Sequence, residues 1–272
     1  MRGASAKSLT QLESAVEAAV SRGTNAGRLG TELFAVVAAL DSAPTLRRVL
    51  TDPSSDDAAK DGLARRIFSD KVAAKTLDVV ATAVIGRWSS ARDLPDALER
   101  SGVTALVAGA AKDSALDDVE DELFRFGRVV MGDAELRSVL SDRSVPVPAK
   151  QVLIERLVGD KVRPATLALV LQAVVGRGQS FEQTMTTFGE LAAQRRERLV
   201  ATVRVASPLE DDQKERLAAA LAAQYGREVH VNALVDPAVI GGVSVQIGDE
   251  IIDGTMAGRL ADTRRRIAGG SR

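Results

Sequence analysis

The chain has 272 residues, enough for two or three compact domains with their own cores. Hydrophobic residues make up 45% and charged ones 27%, with 36 basic against 37 acidic, so nothing draws it globally to nucleic acid or anionic lipid. There is no cysteine, which excludes disulfides, thiolate nucleophiles and Cys-based metal sites and fits a cytoplasmic protein.

The first twenty residues are charged throughout and lack the apolar block of a signal peptide. No apolar run approaches the roughly 20 residues that span a bilayer. The longest mild case, residues 102–111, is short and rich in Ala and Gly. Membrane association is therefore expected only through partners. Trp88 and Tyr225 are single, so the cores must be built from Ala, Val, Leu and Ile. Small apolar side chains let helices approach closely and favour bundles.

Helical periodicity runs through the first two-thirds of the chain, as in Leu46, Val49 and Leu50, and again in Val152, Leu153 and Leu157. The break at Asp52-Pro53-Ser54-Ser55 offers Ser55 as N-cap of the next helix, with Asp56 and Asp57 in its first turn. Pro146 and Pro148 mark a matching break, suited to a helix start. The match reflects a repeat. Shifted by 90 residues, Glu32-Leu33-Phe34 lands on Glu122-Leu123-Phe124, Asp70-Lys71-Val72 on Asp160-Lys161-Val162, and Gly86-Arg87 on Gly176-Arg177. About 23 of the 56 positions from 32 to 87 are identical without a gap, more than shared helical composition gives. The reading is a duplicated helical domain, residues 1–98 and 99–196. Residues 89–112 then belong to both copies, which predicts a shared or nearly continuous helix between them.

Near residue 199 the period changes to two. Leu199 to Val205 alternates as a strand. Ser207, Pro208 and Glu210 predict a capped helix start, running to Tyr225 and stopping at Gly226. Val229, Val231 and Ala233 mark a second strand, and Val243, Val245 and Ile247 a third. Gly248-Asp249 predicts a hairpin into a fourth, Glu250 to Asp253. A last helix is expected from about Thr255. The fold class is mainly α: two tandem helical bundle domains, then a small α+β domain with a short sheet over 197–272.

The segment from Val235 to Thr255, with Asp236-Pro237, Gly241-Gly242, Gly248-Asp249 and Asp253-Gly254, closely resembles the C-terminal signature of the F-type ATP synthase delta subunit family. In mitochondria this is the oligomycin-sensitivity-conferring protein. The continuation Met256-Ala257-Gly258-Arg259-Leu260 fits too. Physically these residues are architectural. Gly241-Gly242 allows a kink or bulge into the strand, and Asp253 or Thr255 can cap the expected last helix. The resemblance implies a non-catalytic stator connector without cofactor, peripheral on the cytoplasmic face of a bacterial plasma membrane. It implies two partners: the N-terminal helix of an alpha subunit for the helical region, and the C-terminal end of the peripheral-stalk b subunit for the last domain. The family's usual member has one helical domain; this chain has two. A groove between bundle helices would take the alpha helix. Leu12 and Val16, Leu77, Val80 and Val84, and Leu167, Val170 and Val174 are candidates for it, with a plain core position the alternative reading of each. A helical adaptor unrelated to ATP synthase is the alternative.

Other sites weigh less. His230 is the only histidine, at a polar strand position without Cys or carboxylate spacing nearby, so a surface or interface role is favoured. Asp236, Asp249 and Asp253 each occupy a turn or cap, which argues against a metal site. No GxxxxGK[ST] occurs. Arg195-Arg196-Glu197-Arg198 and Arg264-Arg265-Arg266 are short and lack interleaved aromatics, against nucleic acid as a partner. Trp88 reads as core, or as an interface anchor.

Overall fold

Helices take up the chain as far as Glu197, where the apolar period of the sequence changes. The computed structural model describes residues 3–197, 199–225, 229–236, 239, 241–247 and 250–253. These form α1 (Ala4–Ser21), α2 (Ala26–Ser42), α3 (Pro44–Leu50), α4 (Asp57–Phe68), α5 (Ala74–Ile85), α6 (Asp93–Lys112), α7 (Leu116–Gly132), α8 (Ala134–Ser141), α9 (Val147–Val158), α10 (Pro164–Ala173) and α11 (Phe181–Glu197). Beyond them come β1 (Leu199–Val205), α12 (Asp211–Tyr225), β2 (Val229–Val235), β3 (Val243–Ile247) and β4 (Glu250–Asp253). The fold is mainly α with a small α+β part. Two compact units are formed, Met1–Arg195 and Arg196–Arg272.

The repeat is visible in the helices. Moved by 90 residues, α2 falls on α7 and α4 on α9, end to end. Burial follows the same register. Leu33 and Leu123, Leu50 and Leu140, Ala64 and Ile154, and Val80 and Val170 are all buried. The two stretches build separate apolar clusters. Helix α6 is unbroken and serves both: Leu94, Ala97, Leu98, Ala105 and Ala108 enter the first, and Val103, Leu106, Val107 and Ala110 the second. An Ala- and Val-rich helix can do this because apolar residues ring most of its circumference.

The α2–α6 crossing is set by glycine. A Cβ on Gly102 would stand 2.5 Å from Cε1 of Phe34, one on Gly30 2.9 Å from the carbonyl oxygen of Gly102, and one on Gly109 2.5 Å from Cβ of Ala26. As numbers fall along α2 they rise along α6, so the helices cross antiparallel with backbones close together. Phe34 thereby leaves its own copy and joins the second cluster with Val103, Leu106 and Val107. Trp88 packs in the first cluster and donates its indole N–H to the Ala83 carbonyl at 2.9 Å.

In the second unit β1 runs parallel to β2 and antiparallel to β3, which pairs antiparallel with β4, giving the order β2-β1-β3-β4. A parallel β1–β2 pair needs a crossover, and α12 supplies it. Ala201, Val203 and Val205 alternate inward against Leu221, Val229, Val245 and Ile247.

Two helix starts differ from the sequence expectation. The N-cap of α4 is Asp56, not Ser55, because Asp52 folds the preceding residues into a turn, accepting from the Ser54 N–H at 2.8 Å. Helix α12 begins at Asp211, leaving Ser207 and Pro208 in an irregular segment. Gln213 accepts the Glu210 N–H at 3.0 Å, so the backward half of the capping motif is made three residues later than Ser207 suggested. The last helix expected from Thr255 lies outside the described residues.

Replacing Gly102 by Ala is expected to destabilise the chain by about 1–3 kcal/mol through overpacking on Phe34. Gly127→Ala on α7, where an added Cβ meets nothing within 4 Å, is expected to be neutral or slightly stabilising. Urea denaturation of the two variants measures the difference.

Candidate interaction surfaces

Each copy is closed by the same clamp. The N-terminus of α5 leaves backbone N–H groups without helical partners. Glu32 on α2 accepts from the Ala73 N–H at 2.9 Å and from Thr76 Oγ1 at 2.5 Å. In the second copy Glu122 on α7 accepts from the Arg163 N–H at 2.8 Å and from Thr166 Oγ1 at 2.5 Å at the start of α10. Thr76 and Thr166 are buried. Burial pushes the Glu32 carboxyl up, but hydrogen bonds from Thr76, Arg28 and the Ala73 N–H outweigh it and hold it below its ordinary value. The loop turn is repeated as well, with Asp142 accepting from the Ser144 N–H at 2.8 Å as Asp52 does from Ser54.

The helical unit is also tied by ion pairs that the repeat does not share. Arg177, 10% exposed, reaches Glu99 at 2.8 Å and Asp96 at 3.0 Å on α6, and also pairs with Asp41 at the end of α2. Gln172 donates to the other Glu99 oxygen at 2.5 Å. Burial pulls the Arg177 pKa down, but the Asp41 hydrogen bond and the charges of Glu99, Asp41 and Asp96 more than offset it and raise it. For Asp96 burial is the larger effect and raises its carboxyl despite Arg177. Asp96 therefore gains less from the cluster than Arg177 does. On α1, Glu17 pairs with Arg195 of α11, and Glu13 with Arg100 of α6 at 2.7 Å. Arg177 was notable in the sequence only as half of a repeated Gly-Arg. Its counterpart Arg87 is exposed, so the sequence identity gave no sign of the difference.

Between the copies lies a cleft of about 580 Å³, lined by Val20, Ala26, Leu106, Gly109, Val119 and Ala168 among others. Its walls are mostly small and apolar. Among the described residues no three His, Cys, Asp or Glu side chains gather as a metal site.

The candidate groove residues do not line an open groove. Leu12, Val16, Leu77, Val80, Val84, Val170 and Val174 are buried, and Leu167 is half-buried against the second cluster. Helical spacing selects the face a helix turns inward, and here that face is the core. Exposed large apolar side chains lie elsewhere: Val49 on α3, Ile85 at the end of α5, Phe124, Val129 and Met131 on α7, Val152 and Leu157 on α9, and Leu234, Val235 and Ile251 in the second unit.

In the signature segment, Gly241 and Gly242 have φ of 95° and 82° immediately before β3, a conformation that side chains resist. The Asp236 N–H donates to the Val205 carbonyl at 2.9 Å, fixing the exit of β2 beside β1. Asp253 pairs with Ser244 in the β3–β4 ladder, and Ile247 with Glu250. The expectations on Pro237, Gly248, Asp249, Gly254 and Arg259, and on the His230 side chain, lie outside the described residues.

Two outcomes follow from the charged contacts. Because the Glu32 pKa is lowered on folding, its stabilisation is complete above its unfolded value and lost as pH falls through the folded one. Glu32→Gln is expected to cost about 1 kcal/mol near pH 7, the deficit shrinking below pH ~4, in denaturation series across pH. Arg177→Ala is expected to cost about 2–4 kcal/mol, leaving three carboxylates together, while Arg87→Ala leaves the melting temperature unchanged.

The family model described as ATP synthase delta (OSCP) subunit matches residues 99–267, the second helical copy and the C-terminal segment. The ATP synthase subunit delta of Acidothermus cellulolyticus is 49% identical over 241 residues, 88% of this chain and 88% of its own length. That of Thermobifida fusca is 44% identical over 270 residues, 99% of this chain and 100% of its own. A chain of the Toxoplasma gondii mitochondrial ATP synthase hexamer aligns with 61% of this chain and 94% of its own length, at 19% identity and a TM-score of 0.27, too loose to bear on the fold. The match to the family model spans more than half of the sequence, and the relatives extend it over the first copy: this chain belongs to the ATP synthase delta (OSCP) subunit family.

Proposed function

We propose that this chain is the stator connector of an F-type ATP synthase, holding the catalytic head through the N-terminal helix of an alpha subunit and the peripheral stalk through the C-terminal end of a b subunit. As a delta subunit it is a structural member of the complex, not a catalytic one. The observation that carries the reading is the presence of two folded units with separate cores on one chain. A connector must hold two partners at once, and separate cores let each contact form on its own scaffold. The head contact is assigned to the helical part, read as copies 1–98 and 99–196, and the stalk contact to 197–272.

Leu12, Val16, Leu77, Val80, Val84, Leu167, Val170 and Val174 then form the floor beneath an alpha-helix groove rather than its contact surface. For the stalk contact, Val235 and Ile251 offer apolar area, 53% and 64% exposed. Such a connector sits peripherally on the cytoplasmic face of the membrane, attached through its partners. The near-neutral charge supports attachment by protein contacts instead of lipid.

Deleting residues 197–272 is expected to abolish capture of the b subunit in a pull-down and to leave capture of the head intact. Retention of b by the truncated chain would show the assignment of the two contacts to be wrong.

A further inference from the structure

Phe34 and Phe124 are the same residue of the repeat, each in a Glu-Leu-Phe, and their surroundings are opposite. Phe34 is 8% exposed, its ring held over the bare backbone of Gly102. Phe124 is 64% exposed. The position equivalent to Gly102 is Ala192 on α11, which is buried. Repeating the first crossing would put a methyl group where an added Cβ already stands 2.5 Å from the ring. The closing helix of the second copy does not cover this phenylalanine as α6 covers its counterpart in the first.

The rest of that face has changed with it. Met131, seven residues on and 63% exposed, stands where the first copy has Asp41, the partner of Arg47 and Arg177. Gly127 stands where the buried Val37 does, with open space around it. Arg128 is exposed and has no carboxylate partner among the described residues. Positions 124, 127, 128 and 131 share one helix face. This face of α7 thus presents two large apolar side chains, and a cation unpaired among the described residues, around a glycine notch.

We propose that this stripe docks an amphipathic helix from another subunit of the ATP synthase, one that sets Gly or Ala over Phe124, apolar side chains against Met131 and a carboxylate at Arg128. The repeat itself supplies the template, since the same phenylalanine in the first copy is covered by a helix carrying Gly102, Leu106 and Gly109. The free Arg128 adds the charge requirement. It also disfavours a second copy of this chain, because a two-fold pairing centred on Gly127 would bring Arg128 against its own mate. The proposal rests on membership of the family, not on which unit binds which named partner.

The chain has no cysteine, so Phe124→Cys gives a single reporter thiol. Maleimide labelling of this variant is compared in the isolated chain and in purified intact ATP synthase, and a thiol-attached benzophenone identifies the neighbour. The expected result is fast labelling in the free chain, labelling slower by an order of magnitude or more in the complex, and a cross-link into a helix of another subunit. Equal labelling in both states overturns the proposal, as does a cross-link to lipid or to a second copy of this chain. Melting of the isolated chain separates docking from internal packing. Phe124→Ala is expected to leave the melting temperature unchanged while Phe34→Ala lowers it by several degrees. Equal losses would mean that Phe124 serves the chain's own packing, and the proposal falls.

Discussion

The glycine crossing of α2 and α6 is the contact on which the helical unit depends. Gly30, Gly102 and Gly109 remove the side chains that would hold the two backbones apart. With the gap closed, Phe34 passes over Gly102 into the second core, and α6 keeps apolar stripes in both clusters. The crossing is non-polar and short-ranged, so its geometry tolerates little change. Around it the ion pairs act differently. Arg177, Arg195 and Arg100 each bridge elements far apart in sequence, and each leans on α6 or α1. They orient helices that the crossing has already brought together.

The duplication accounts for the shape of each copy and not for its surface. Identical residues keep their roles where they face inward, as Leu33 and Leu123 do, or where they close a helix end, as Glu32 and Glu122 do. The Asp52 turn recurs at Asp142 too, but elsewhere the copies diverge. Arg87 is solvated while Arg177 gathers three carboxylates, and Phe34 is covered while Phe124 is open. The second copy is the one matched by the family model, and it is also the one with the more apolar outer face on α7.

Much of this could be read in the sequence. Period 3.6 giving way to period 2, the Gly-Asp and Gly-Gly punctuation and the fixed 90-residue offset located the helices, the strands and the shared α6. The clamp was legible in part, because Glu32 and Thr76 both recur in the second copy as Glu122 and Thr166. The groove candidates lie on buried faces for a physical reason: hydrophobic periodicity finds the face that packs inward, and cannot separate a covered face from one awaiting a partner. The Phe124 surface could not be read from the repeat, since Phe34 and Phe124 sit in the same Glu-Leu-Phe and only the packing of a distant helix covers the one and leaves the other open.

The shared helix has a consequence for how such a protein can be divided. Both bundles draw on α6, yet the period is shorter than a bundle by that one helix, like two words overlapping in a common syllable. No peptide bond separates the copies, so no single cut yields two complete halves, and α6 runs unbroken through the join. A strain applied to one bundle passes to the next along a continuous rod of 20 residues, about 30 Å long. Lengthening this protein by duplication has added span without adding slack.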